Sequence, residues 1–160
     1  MQMTPLSPLQ LKNYFFTHLS VHANPKGTQA GSLTLEPSIS FQKNADTASQ
    51  WSLAVRVILK SNDPQTPFPY EADISIQGLV EVHESFPAEK REQLAVVNGL
   101  GLLYSAIREM VLTVTARLAN GPLCLPTLNF TEVVANKNAQ EKLKESTPVS
   151  TQTGVTPSQK

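Results

Sequence analysis

Residues 102 to 119, LLYSAIREMVLTVTARLA, are the stretch on which the reading of this chain turns. Leu103, Ile107, Met110, Val111, Val114 and Leu118 recur at three- and four-residue spacing, the period of a helix that buries one side. The other flank is also uncharged over long stretches, at Tyr104, Ser105, Thr113 and Thr115, and charges are confined to Arg108, Glu109 and Arg117. A helix apolar on more than one side has more than one surface to cover. One surface fits the chain's own sheet; the second predicts a partner subunit.

Downstream, Gly121-Pro122 stops this helix in the order that helix ends favour. Residues 122 to 130, PLCLPTLNF, then form an apolar loop pinned by two prolines. Leu123, Leu125, Leu128 and Phe130 cannot all be solvated cheaply, at roughly 1.5–3 kcal/mol per large side chain. A last helix of mixed charge is expected over about 131 to 145, and the aromatic-free STPVSTQTGVTPSQK from 146 reads as a disordered tail. Upstream, Pro87 suits a first helical position and AEKREQLAVV follows, with acids in its first turn. Gly99 and Gly101 are expected to interrupt that helix, so GLG reads as a hinge rather than a phosphate loop.

Further upstream the period changes from helical to two. Residues 9 to 23 set Leu9, Leu11, Phe15, Leu19, Val21 and Ala23 on one face and Gln10, Lys12, His18, Ser20 and His22 on the other. Asn24-Pro25-Lys26-Gly27 breaks the pattern. A second strand, about 32 to 42, carries Leu33, Leu35, Ile39 and Phe41, with Pro37 arguing for an edge or a bulge. A third, 50 to 60, keeps Trp51, Leu53, Val55, Val57 and Leu59 in step. A fourth carries Tyr70, Ala72, Ile74 and Ile76, with a bulge expected at Gly78 before Val80 and Val82. The expected class is α+β: a four-stranded antiparallel sheet with one face covered by the long helix. The expected organisation is a flexible amino terminus over 1 to 8, one domain over 9 to 145 and the tail over 146 to 160.

Composition bounds the function. Only 16% of residues are charged, against about 25% in ordinary soluble domains. Some uncharged surface should therefore meet solvent or a partner subunit. Thirteen basic and thirteen acidic residues cancel, which removes the case for an electrostatic nucleic-acid binder. Cys124 is the lone cysteine, so no internal disulfide forms and a reducing, cytoplasmic location is expected. The first residues do not read as a signal peptide, and no apolar run approaches the ~20 residues of a bilayer span.

Chemistry-bearing residues are sparse. His18 and His22 share a strand face but stand ~13 Å apart, too far for chelation, so they and His83 read as exposed sheet residues. Cys124 reads as a buried thiol rather than a nucleophile, and Arg108-Glu109 as an interfacial or intrahelical charge contact. Trp51 reads as core or interface before ligand stacking. Neither a catalytic constellation, a metal set nor a cofactor motif emerges, and an enzyme is not expected.

The stretch from Leu102 to Phe130 resembles the signature region of SecB, the bacterial protein-export chaperone. The family's helix carries a "YARE"-like element, then an Arg-Gly turn, then a Leu/Pro-rich loop ending in "VNF". The counterparts here are Tyr104, Arg108 and Glu109, then Arg117, Gly121 and Pro122, then Leu123, Leu125, Pro126, Asn129 and Phe130. Ile107 stands between Ala106 and Arg108, so the "YARE" match is loose. LQLKNYFFTHLSVHANP is similar to the family's first strand and turn, and the resemblance spans about 9 to 140.

What the resemblance implies is a dimer of dimers, with long helices sandwiched between sheets and outer grooves that hold unfolded clients without ATP. By position the groove would draw on Leu123, Leu125, Leu128 and Phe130, with Leu100, Leu102 and Val82. Tyr104, Arg108, Val111 and Thr115 would serve the oligomer interface. In well-known members, acidic residues dock the export motor SecA. The matching positions here are His18, His22 and Ser75, which puts motor docking in doubt. The clients the resemblance implies are precursor proteins destined for export, and another client, such as an antitoxin, fits equally well. Two other classes compete: a small-molecule site or enzyme with the Leu-rich loop lining a closed pocket, and a scaffold subunit whose apolar surfaces only lock an assembly.

Overall fold

A computed structural model of the chain describes residues 6 to 145, with side chains of the last helix described as far as Ala139. The expectations for residues 1 to 5 and for the tail from 146 lie outside the described residues. Four strands, β1 (Leu9–Ala23), β2 (Leu33–Lys43), β3 (Gln50–Ser61) and β4 (Tyr70–Val82), form one antiparallel sheet in the order β1-β4-β3-β2. Each boundary falls within a residue or two of the sequence reading. Polar turn segments interrupt each period-two run, and antiparallel neighbours need only short connections.

The two central strands carry the core. Trp51, Leu53, Val55, Val57 and Leu59 of β3 are buried, as are Tyr70, Ala72, Ile74, Ile76, Val80 and Val82 of β4. Their register runs unbroken from Gln50↔Glu81 to Leu59↔Ala72, so the bulge expected at Gly78 is absent. Gly78 serves packing instead. A Cβ there would lie 2.6 Å from Leu103 Cδ2, so the missing side chain is what lets the covering helix come down onto the sheet.

The bulges sit on β1, between Leu11 and Asn13 and between Phe16 and His18. Each extra residue reverses the phase. Phe15 therefore lies opposite Gln77 on the outer face, while Tyr14 and Phe16 stand opposite Gly78 and Ile76 on the helix side. Strict alternation had placed Phe15 with the inward set; the first bulge overturns that.

The covering element is continuous from Ala88 to Thr115, 28 residues. It comprises α1 (Ala88–Gln93), a π-helical turn (Leu94–Asn98) and α2 (Gly99–Thr115). Pro87 is the residue before the helix rather than its first. The glycines do not interrupt it. Gly99 faces the sheet, where a Cβ would lie 2.3 Å from Leu53 Cδ1. The expectation that no segment could span a bilayer also needs correction, because this helix is long and apolar enough by length and composition. Leu100, Leu103, Ile107 and Val111 are buried, as in the core helix of a globular fold.

α2 ends at Thr115, four residues earlier than the periodicity predicts. Arg117 N–H bonds back to Val114 and Leu118 N–H to Thr115, tight i→i−3 contacts that close the last turn. The chain divides after Phe130 into two compact units, the sheet with its helix and loop, and the segment from Thr131. α3 (Phe130–Glu145) is mostly exposed where described.

Candidate functional site

The loop after α2 folds back on the helix and takes up its polar groups. Tyr104 donates its hydroxyl to the Pro126 carbonyl at 2.7 Å, and Arg108 Nε donates to the Leu125 carbonyl at 3.0 Å. Thr115 Oγ1 accepts the Leu123 N–H at 2.8 Å while donating to the Val111 carbonyl at 2.7 Å. The Tyr104 and Phe130 rings meet edge-on with centroids 5.7 Å apart. Burial pushes the Tyr104 hydroxyl pKa up, and nearby Arg108 only partly offsets this.

These contacts correct two sets of expectations. Tyr104, Val111 and Thr115, expected at an oligomer interface, are interior residues covered by their own chain. Arg108, expected there too, spends its Nε on the loop and is half-buried. Of the expected groove residues, Val82, Leu100, Leu125 and Phe130 are at most 5% exposed and belong to the core. Leu123 and Leu128 are half-buried, and Leu102 is 43% exposed. Not every apolar loop residue is surplus, because Leu125 and Phe130 close the far side of α2.

What α2 leaves open is a different stripe. Leu102, Ser105, Glu109, Leu112, Thr113 and Ala116 are exposed, with both leucines above 40%. Their spacing by three and four is legible in the sequence. Glu109 appears in none of the ion pairs among the described residues, so the intrahelical form of the expected charge contact is not made.

The sheet extends beyond its cover. α2 packs on β1, β4 and β3. On β1 the helix-side residues Tyr14 and Leu19 remain 47% and 44% exposed, with Leu11, Phe16 and Val21 half-buried. On β2, the helix-side residues Leu33, Leu35, Pro37 and Ile39 are likewise only half-buried. Apolar side chains therefore flank the helix along both edges of the sheet, around a sealed centre. Sequence periodicity found these residues but could not tell covered from uncovered.

The outer face of the sheet is mostly polar, with Phe15, Ile58 and Leu79 as its large apolar residues. His18 lies directly opposite Ser75, and His22 follows on the same face with Ser20 Oγ 3.0 Å from its Nε2. Arg56 grips Asp73 with two hydrogen bonds, at 2.9 and 2.6 Å, and these hold the Asp73 carboxyl below its ordinary pKa. His83 binds Ser85 at the opposite end of β1 from His22, so the three histidines do not converge. Among the described residues no group of three His, Cys, Asp or Glu could hold a metal ion. Cys124 is exposed, contrary to the buried thiol expected, and Arg108 Nη2 lies 3.9 Å from its sulfur. Trp51 is core, with Lys43 Nζ 5.7 Å from its ring centre.

No protein-family model matches the chain. A curated relative, an uncharacterized protein of Methanocaldococcus jannaschii, is 22% identical over 138 residues, 85% of this chain and 88% of the relative. Among solved structures, the SecB-like chaperone Rv1957 of Mycobacterium tuberculosis superposes with a TM-score of 0.58 at 23% identity, covering 75% of this chain and 90% of that one. That structure is a complex with a ChAD peptide from the HigA1 antitoxin. The sheet order, the covering helix and this superposition together give the chain the fold of a SecB-like chaperone.

Proposed function

We propose that the protein is a non-enzymatic holdase chaperone that grips apolar segments of unfolded polypeptides without ATP. One observation carries the reading: the sheet is wider than its helical cover. Tyr14 and Leu19 on one edge and Leu33, Leu35 and Ile39 on the other stay partly open around a fully closed centre. Ordinary monomers bury such rows or break them with charge. An unfolded client offers apolar side chains in no fixed order, and long, shallow apolar strips can hold it through many weak contacts.

Assembly as a dimer of dimers is part of the proposal. The exposed stripe from Leu102 to Ala116 on α2 is the surface that a second copy would cover, in place of the interior residues expected from sequence. The cytoplasm fits a chain whose single thiol is exposed. For the client, a reading as an antitoxin-associated chaperone is favoured over export by the antitoxin peptide bound to Rv1957. The outer-face His18, His22 and Ser75 also put no carboxylate at the positions expected to dock a motor ATPase.

The test is light scattering from a chemically unfolded client diluted into buffer without nucleotide. Stoichiometric protein is expected to suppress the turbidity. Unchanged turbidity at excess protein would refute the holdase and leave a scaffold role, with the oligomer alone remaining.

A further inference from the structure

β2 is an edge of the sheet, and its backbone phase follows from independent observations. Asn62 N–H donates to the Ser32 carbonyl at 3.0 Å, and Asn44 N–H donates to the Gln50 carbonyl at 2.9 Å. Even-numbered positions of this segment thus bond to β3. The ladder also runs without a break through Pro37 opposite Val57. A proline fits there only with its nitrogen turned off the ladder. Odd-numbered positions therefore present their carbonyls, and all but Pro37 their N–H groups, to the open side. The same positions carry the half-buried side chains of the helix side. Among the described residues, no backbone hydrogen bond occupies the open side of Leu33, Leu35 or Ile39.

We propose that this open edge takes an extended client as an added strand, bonded to the backbone of Leu33, Leu35 and Ile39, with apolar side chains at every second client residue beside theirs. The inference rests on the holdase reading and narrows its substrate class from apolar segments to alternating ones. Client side chains on the helix side would meet Leu33, Leu35 and Ile39. Those between would lie beside Thr34, Glu36 and Ser38 on the outer face, where Lys60 Nζ holds Glu36 at 3.1 Å. A slip of one residue would turn every apolar client side chain to water, so the pattern and not the composition selects. Pro37 still accepts a bond but donates none, leaving one client carbonyl unpaired in mid-strand. A second β2 is the poorer occupant. Two-fold antiparallel pairing centred on Pro37 would set two donorless residues side by side.

The experiment uses the full chain and a short, end-capped synthetic peptide of alternating valine and serine, with binding read by fluorescence anisotropy. Single N-methyl groups are then placed on successive peptide nitrogens. Affinity should fall about tenfold at every second nitrogen and change little at those between, because only one set reaches β2. Equal effects at all positions, or no binding of the parent peptide, would overturn the proposal. Pro37→Thr supplies the missing donor and should tighten the parent peptide by roughly two- to tenfold; unchanged affinity would overturn the assigned phase. Turbidity suppression by the same preparation separates the failures. If suppression persists while the methyl scan shows no period, the added strand is wrong and the holdase stands; if suppression is lost too, both fall.

Discussion

β4 and β1 lie side by side with the same period-two pattern, yet they do different things. In β4 the inward residues Ile74, Ile76 and Val80 are completely buried, and the register with β3 has no fault. In β1 two bulges break the register, and Tyr14, Phe15 and Leu19 are each more than 40% exposed. The difference is one of neighbours. β4 has a strand on both sides and α2 above it, so any slip would expose its whole inward set. β1 has one strand neighbour and a free edge, where bulges are tolerated and blunt unwanted pairing. Alternation in sequence marks a strand that has two faces. It does not say that either face is covered.

Substitutions on the two sides of that divide should differ sharply. The largest effect is expected at Leu125→Asp, which puts a charge into a site 1% exposed; the chain should fail to give a cooperative melting transition. Wild-type-like melting would return Leu125 to the groove set from which its burial removed it. Ile76→Ala in β4 should cost about 2–5 kcal/mol in denaturant titration, the range for a truncated core aliphatic.

The two glycines of GLG sharpen the contrast within one helix. Gly99→Ala drives a methyl group against Leu53 and should cost about 1–3 kcal/mol. Gly101→Ala meets nothing within 4 Å and should gain roughly 0.5–1 kcal/mol from helix propensity. Similar costs at both would mean that the helix packs differently from this account. Phe15→Ser, on the outer face, should shift stability by less than about 0.5 kcal/mol.

The smallest effect concerns pH. Hydrogen bonds from Arg56 lower the Asp73 pKa, so its carboxylate favours the folded state above the ordinary carboxylate range. That contribution fades as pH falls through the lowered value. The pair is exposed, so salt and water weaken it. Melting curves of the wild type and Asp73→Asn should converge only toward strongly acidic pH, with a small gap above it.

Much of the fold was legible because the signals were local. Strand limits followed from period-two runs ended by Asn, Pro and Gly, and the helix from spacing of three and four. The candidate site was less legible because burial is a property of partners. Leu100, Leu125 and Phe130 look in sequence like Leu102, which stays open; Leu100 is covered by the sheet, and the return of the loop onto Tyr104 and Arg108 takes in Leu125 and Phe130. The bulges of β1 left no mark in composition, and with them the placement of Phe15 was lost. Glycine permits a bulge or a break, and sequence alone does not separate these from the close packing found at Gly78 and Gly99. In the fold each marks a place where helix and sheet touch.

The central claim is that the uncovered apolar margins of the sheet hold clients, and Leu35→Asp tests it most directly. Leu35 is half-buried at the β2 edge, outside the sealed centre. Its replacement should leave the melting temperature near that of the wild type while markedly weakening suppression of client turbidity. Full suppression by a correctly folded Leu35→Asp protein would contradict the account.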